Sequence, residues 1–137
     1  MVVTDFIQSN NNLEKAKVLN KKKTLNNAIM ASTSLLMFDT ENLSTVTNIY
    51  RKVKFPVFGT DCYAYGLLLS GKIDIIVEAN MKPWDYMAQV SLVQELGGKM
   101  TDWNGKKLGI SSDGKIIASN FSNHHKKVMD LLKKIKK

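Results

Sequence analysis

Two acids seven positions apart, Glu78 and Asp85, are the strongest chemical signal in this sequence. Glu78 closes the β-branched run Ile73 to Ala79 (IDIIVEA), which reads as a strand. Asp85 falls in the first turn of a helix that Pro83 opens and Gly97-Gly98 closes. A strand-end acid and a helix-start acid can face one crevice, where α/β sheets bind their ligands. The helix dipole favours a charged Asp85, and charged oxygen ligands suit Mg²⁺. Spacing alone also allows a plain helix-start charge and a surface acid. Gly59-Thr60-Asp61 opens a further helix straight after a strand, and N–H groups at such a start attract anions and hydroxyls. An ordinary capped helix fits the same residues, and no P-loop or dinucleotide glycine pattern is present.

Other reactive side chains lead elsewhere. Cys62 is the single cysteine, so no internal disulfide is available, and its apolar surroundings predict a quiet thiol. The two histidines, His124 and His125, lie in the basic C-terminal segment, which leaves a Cys/His pair unsupported. Adjacent helical residues point about 100° apart, so the pair is expected on a solvated face rather than on a metal. A zinc cluster of cysteines is absent.

These residues need elements to hold them. The chain has 137 residues, 44% hydrophobic and 23% charged, enough for one domain with one core. No apolar run approaches the ~20 residues of a membrane span. No signal peptide is visible, and a reducing cytoplasm is the expected setting. Residues 1–16 read as a loosely ordered N-terminal segment and 17–137 as the domain. Strands are expected at Ala16–Asn20, Asn27–Thr33, Val57–Phe58, Ile73–Ala79, Lys99–Trp103 and Lys115–Ser119. Helices are expected at Glu41–Lys54 (stopped by Pro56), Thr60–Ser70 (capped by Thr60 or Asp61), Trp84–Leu96 and from Ser122 onward. The Trp84–Leu96 helix carries apolar residues on more than one stripe, so it is expected to be covered on two sides. The last helix has a clean face of Val128, Leu131, Leu132 and Ile135, and lysines elsewhere. Strands alternating with helices predict an α/β fold, a layered mixed sheet with helices packed on it. The net charge of +8 is concentrated at the end: six lysines face one acid from Phe121 to Lys137. That is a basic tail on an ordinary domain. Nucleic acid is not expected as a partner.

Residues 58–108 resemble the inositol monophosphatase family. The resemblance rests on Gly59-Thr60 before a helix, a strand ending in Glu78, Pro83-Trp84-Asp85, Glu95-Leu96-Gly97-Gly98, and Thr101-Asp102. The segments GTDCYAY, KPWDY and TDWNGK, with ASTSLLMF at 31–38, are most similar to the histidinol-phosphatase branch. The resemblance implies the C-terminal domain of the inositol monophosphatase/fructose-1,6-bisphosphatase fold and a Mg²⁺-dependent phosphomonoesterase. It assigns Asp85 as a metal ligand and Glu78 as the contact for a substrate hydroxyl or amine. Gly59, Thr60 and Asp61 become substrate-pocket residues. Catalysis would be attack of metal-activated water on phosphorus, with no covalent nucleophile.

Family members are about twice as long, and their N-terminal half carries a metal-binding Glu and a D-P-x-D-G-T motif. This sequence contains no Asp-Pro pair. The resemblance therefore implies half of an active site, inactive alone, whose partner is the missing N-terminal half or a separate chain. Exposed apolar surface is then expected to drive homo-oligomer formation. A reading of another class is a non-catalytic binding domain of the same fold with a basic C-terminal helix.

Overall fold

The computed structural model describes residues 24–120 and 122–134. The expected loose N-terminus, the strand at Ala16–Asn20 and the face position Ile135 lie outside these residues. The order is β1 (Ile29–Ser32), α1 (Thr40–Tyr50), β2 (Phe55–Phe58), α2 (Tyr63–Leu69), β3 (Ile75–Glu78), α3 (Pro83–Glu95), β4 (Lys99–Asp102), β5 (Ile116–Ser119) and α4 (Ser122–Lys133), with short 3₁₀ turns at Leu25–Asn27 and Leu35–Met37.

The strands form one mixed sheet in the order β2-β1-β3-β5-β4. β1 runs parallel to β2 and β3, whereas β5 is antiparallel to both β3 and β4. Parallel pairing puts the carboxyl ends of β1, β2 and β3 at one edge. Ser32, Phe58 and Glu78 end those strands, so the loops carrying Thr33, Gly59 and Asn80 leave from the same edge. Side-chain alternation builds two cores. Ile76, Ile116 and Ala118 pack with Tyr65, Leu68, Val90 and Val93 of α2 and α3. Ile75, Val77 and Ile117 pack with Val46, Ile49, Val128 and Leu132 of α1 and α4. The expected layered α/β sheet is therefore present, with two helices on each face.

Several boundaries move for local reasons. The first helix ends at Tyr50, not Lys54, because Phe55–Phe58 pair with β1 as an edge strand (Ile29 with Phe55, Met30 with Pro56). Pro56 is part of that strand rather than the helix stop, and an edge strand tolerates its missing donor. α1 starts where Asp39 Oδ1 accepts from the Asn42 N–H at 2.8 Å. α2 begins at Tyr63, three residues later than expected, and its N-cap Cys62 makes no side-chain cap bond. Asp61 has φ +50°, which a continuing helix cannot use. α3 matches its Pro–Gly punctuation, with Gly97 at φ +81° just past its end. It is not covered on two sides. Tyr86, Val90 and Val93 are buried, but Trp84 is 79% exposed and Met87 38%. Nothing among the described residues packs over that second stripe. No described helix is long and apolar enough to cross a membrane.

Candidate active site

Glu78 ends a strand whose four residues are all buried, and its own side chain is 1% exposed. It is not a surface acid. Thr33, just after β1, donates from Oγ1 to Glu78 Oε1 at 2.5 Å. Tyr65, on the inner side of α2, donates from its hydroxyl to Oε2 at 2.9 Å. Burial pushes the Glu78 carboxyl above its usual pKa, the Thr33 and Tyr65 bonds pull it down, and Asp61 opposes its charge; the net shift is upward. The Tyr65 hydroxyl is pushed well up, first by burial, then by Glu78, with a further contribution from Asp85. Asp61 thus acts on Glu78, and Glu78 and Asp85 both act on Tyr65.

A second hydrogen-bonded chain braces this edge. Tyr50 at the end of α1 donates to Ser32 Oγ at 2.6 Å, and Ser32 donates to the Val77 carbonyl at 2.5 Å. The Tyr50 ring packs against Phe58 at 5.0 Å. Burial, together with the nearby Glu78 charge, keeps this phenol protonated far above its usual range.

The Gly59-Thr60-Asp61 turn keeps its place at the carboxyl edge. Gly59 has φ +76°, and the Gly59 N–H bonds the Thr33 carbonyl at 2.9 Å, tying the turn to the loop that holds Glu78. The N–H groups of Tyr63, Ala64 and Tyr65 already bond Thr60, Asp61 and Cys62 carbonyls, so they are not free for an anion. The Thr60 hydroxyl oxygen is buried and has no partner among the described residues. A buried hydroxyl without a partner is costly, which marks this atom as one a ligand or a further chain would satisfy.

Asp85 is exposed, and its Oδ2 accepts from the Lys82 N–H at 2.8 Å. This cap fixes the carboxylate at the start of α3. The loop before it, with Asn80 at φ +56°, is held by the Met81 N–H to Gly114 carbonyl bond at 3.1 Å. No group of three or more His, Cys, Asp or Glu side chains among the described residues could hold a metal ion. Asp85 has the right oxygen chemistry for Mg²⁺, but one carboxylate is too few. The described residues do not make an Mg²⁺ site by themselves.

Two other expectations are corrected. Cys62 is an exposed free thiol, not one quieted by an apolar setting. His124 and His125 are both buried, at 2% and 0% exposure, not solvated. His125 bridges α4 to the sheet, with Nε2 at 2.7 Å from Thr101 Oγ1 and Nδ1 at 3.0 Å from Ser119 Oγ. Thr101 Oγ1 already donates to the Asp102 carbonyl, so it accepts from Nε2–H, and Nδ1 accepts from Ser119. Burial and the Lys99 charge lower the His125 pKa to about 4, which keeps this neutral tautomer. Thr33 and Tyr65 are the site residues that residue-level reading missed. Both fall within the ASTSLLMF and GTDCYAY segments that carried the resemblance, but their shared partner depends on the sheet.

The sequence matches the model of the inositol monophosphatase family over residues 6–137. It is 37% identical over 98 residues to the bifunctional phosphatase IMPL2 of Arabidopsis thaliana, covering 72% of this chain and 28% of that protein. It is 37% identical over 60 residues to a histidinol-phosphatase of Chlorobaculum parvum, 44% of this chain and 23% of that one. Among solved structures, an inositol monophosphatase from Zymomonas mobilis superposes with a TM-score of 0.77 at 33% identity, over 80% of this chain and 43% of that one. The chain spans less than half the length of these relatives.

Proposed function

Because the chain belongs to the inositol monophosphatase family, we propose that it supplies the C-terminal half of a Mg²⁺-dependent phosphomonoesterase of histidinol-phosphatase or inositol-phosphatase type, acting on a small phosphorylated alcohol. Residues 17–137 form that C-terminal domain. The carrying observation is the buried Glu78 carboxyl at the carboxyl edge of the sheet, positioned by Thr33 and Tyr65. In this reading Glu78 accepts a hydrogen bond from a substrate hydroxyl or amine, and the Asp61 charge beside it favours an amine. Gly59 and Thr60 line the same pocket, and the buried Thr60 hydroxyl finds its partner in the substrate. Asp85 supplies one carboxylate to Mg²⁺, and the remaining ligands come from the other half of the enzyme. The metal, when bound, activates water and neutralises the leaving oxygen. The exposed free thiol of Cys62 suits a reducing cytoplasm.

The test joins this chain to the missing half and follows phosphate release from histidinol phosphate and inositol 1-phosphate. The chain alone is expected to be inactive with or without Mg²⁺. In the joined protein, Asp85→Asn keeps the cap to Lys82 but should lower turnover by roughly 100-fold or more, as loss of one fixed transition-state charge does. Full Mg²⁺-dependent turnover in that variant removes Asp85 from the metal site.

A further inference from the structure

One groove on the described surface lies away from Glu78 and Asp85. It has a volume of about 1,020 Å³ and runs along α4, between the 3₁₀ turn before β1 and the end of α1. Thr24–Asn26 precede β1 and Arg51 and Lys52 precede β2, so this part of the groove lies toward the amino edge of the parallel strands. Glu78 lies at the carboxyl edge. Moreover, α1 and α4 cover the sheet face opposite α2 and α3. The groove is therefore separate from the candidate active site.

Its charge is one-sided. Arg51, Lys52, Lys127, Lys133 and Lys134 line it against the single acid Asp130, five cations to one carboxylate. All five cations are exposed. On α4 the positions 127, 130, 131 and 134 share one helical face, so Lys127 and Lys134 lie along the groove with Asp130 and Leu131 between them. A polyanion is the ligand chemistry that fits.

The lining also discriminates among polyanions. Among the described residues it contains no aromatic side chain, so these offer no stacking platform for unpaired bases. Its apolar lining is Leu25, which is buried, and the half-buried Leu131. Four of the five cations are lysines, point charges suited to phosphate oxygens at no fixed angle. We propose that this groove binds the phosphodiester backbone of a nucleic-acid duplex, without sequence preference, as a function separate from phosphate-ester hydrolysis.

The experiment is fluorescence anisotropy of the full 137-residue chain with a labelled DNA duplex of about 20 base pairs. Engagement of four to five phosphates predicts a log–log salt slope near −4, so affinity should fall about 100-fold or more between about 50 and about 200 mM salt. The triple variant Lys52→Gln, Lys127→Gln, Lys134→Gln should bind at least about 10-fold more weakly and lose about 3 from the slope. A charge-matched variant, Lys72→Gln, Lys106→Gln, Lys107→Gln, alters exposed lysines that do not line the groove and should change affinity less than about 3-fold. Equal losses in both variants would mean that net charge, not the groove, carries the binding, and would overturn the proposal. So would the absence of salt-dependent binding at low salt. Equal affinity for polyglutamate would assign the groove to acidic polypeptides and would overturn it as well.

Discussion

At Glu78, burial and hydrogen bonding pull in opposite directions, and burial wins. A carboxyl raised on folding stabilises the protein most below its unfolded value of 4.5, and that contribution is lost as pH rises through the folded value. Tyr65→Phe removes a bond that lowers the pKa, so Glu78 should titrate higher still in carboxyl-carbon NMR; an unchanged or lower value would disprove Tyr65 as its positioning donor. His125 has the opposite sign. Its folded pKa of about 4 lies below the unfolded 6.5, so its contribution is whole above pH 6.5 and lost as pH falls toward 4. The urea midpoint of His125→Gln should therefore fall less between those pH values than that of the parent. At this scale the sequence was readable only where the fold is local. Glu78 and Asp85 stand out because a strand end and a helix start announce themselves. Thr33 meets Glu78 only because β1 lies parallel beside β3, forty-five residues apart in sequence. His125 is buried because its helix docks through Val128 and Leu132, which turns an apparently polar pair of histidines inward.

Turns decide where the elements deliver their side chains. The Ser112–Gly114 turn backs the loop between Glu78 and Asp85. Gly114 has φ +80°, and a Cβ there would stand 2.4 Å from the Met81 carbonyl oxygen. Gly114→Ala should cost about 2 kcal/mol or more in urea unfolding, from left-handed strain and overlap together; in the joined enzyme it should also lower turnover, because Met81 leads into the α3 cap. α4 makes a simpler case. Leu132 is 5% exposed in the core against α1, and Leu132→Ala should cost about 2–4 kcal/mol. The α3 boundaries were legible because Pro83 and Gly97 act on their own neighbours. The end of α1 was not: Tyr50 to Phe55 changes from helix to strand because a tertiary partner, β1, claims Phe55–Phe58. The two-sided cover expected for α3 failed for a related reason. An apolar stripe shows what a helix is able to bury, not what is there to bury it.

Taken as a whole, the described residues leave several large aromatic side chains at the surface. Phe55, Phe58, Tyr63 and Trp84 are all exposed, at 59%, 44%, 64% and 79%. Such surface favours association, so light scattering should find dimers or larger species, and Phe55→Ser with Trp84→Ser should shift them toward monomer. A monodisperse parent monomer would refute that expectation. Trp84 has another consequence. The chain has two tryptophans: Trp103 is 7% exposed, stacked near Phe38 and beneath the Lys115 ammonium, whereas Trp84 stands in water beside Asp85. Their emission therefore separates by environment without any label. Iodide should quench Trp84 and spare Trp103. Any chain that seats itself against the start of α3 should blue-shift the accessible component and shield it from the quencher. The residue next to the proposed metal carboxylate is thus a built-in optical gauge of whether the active site has been completed.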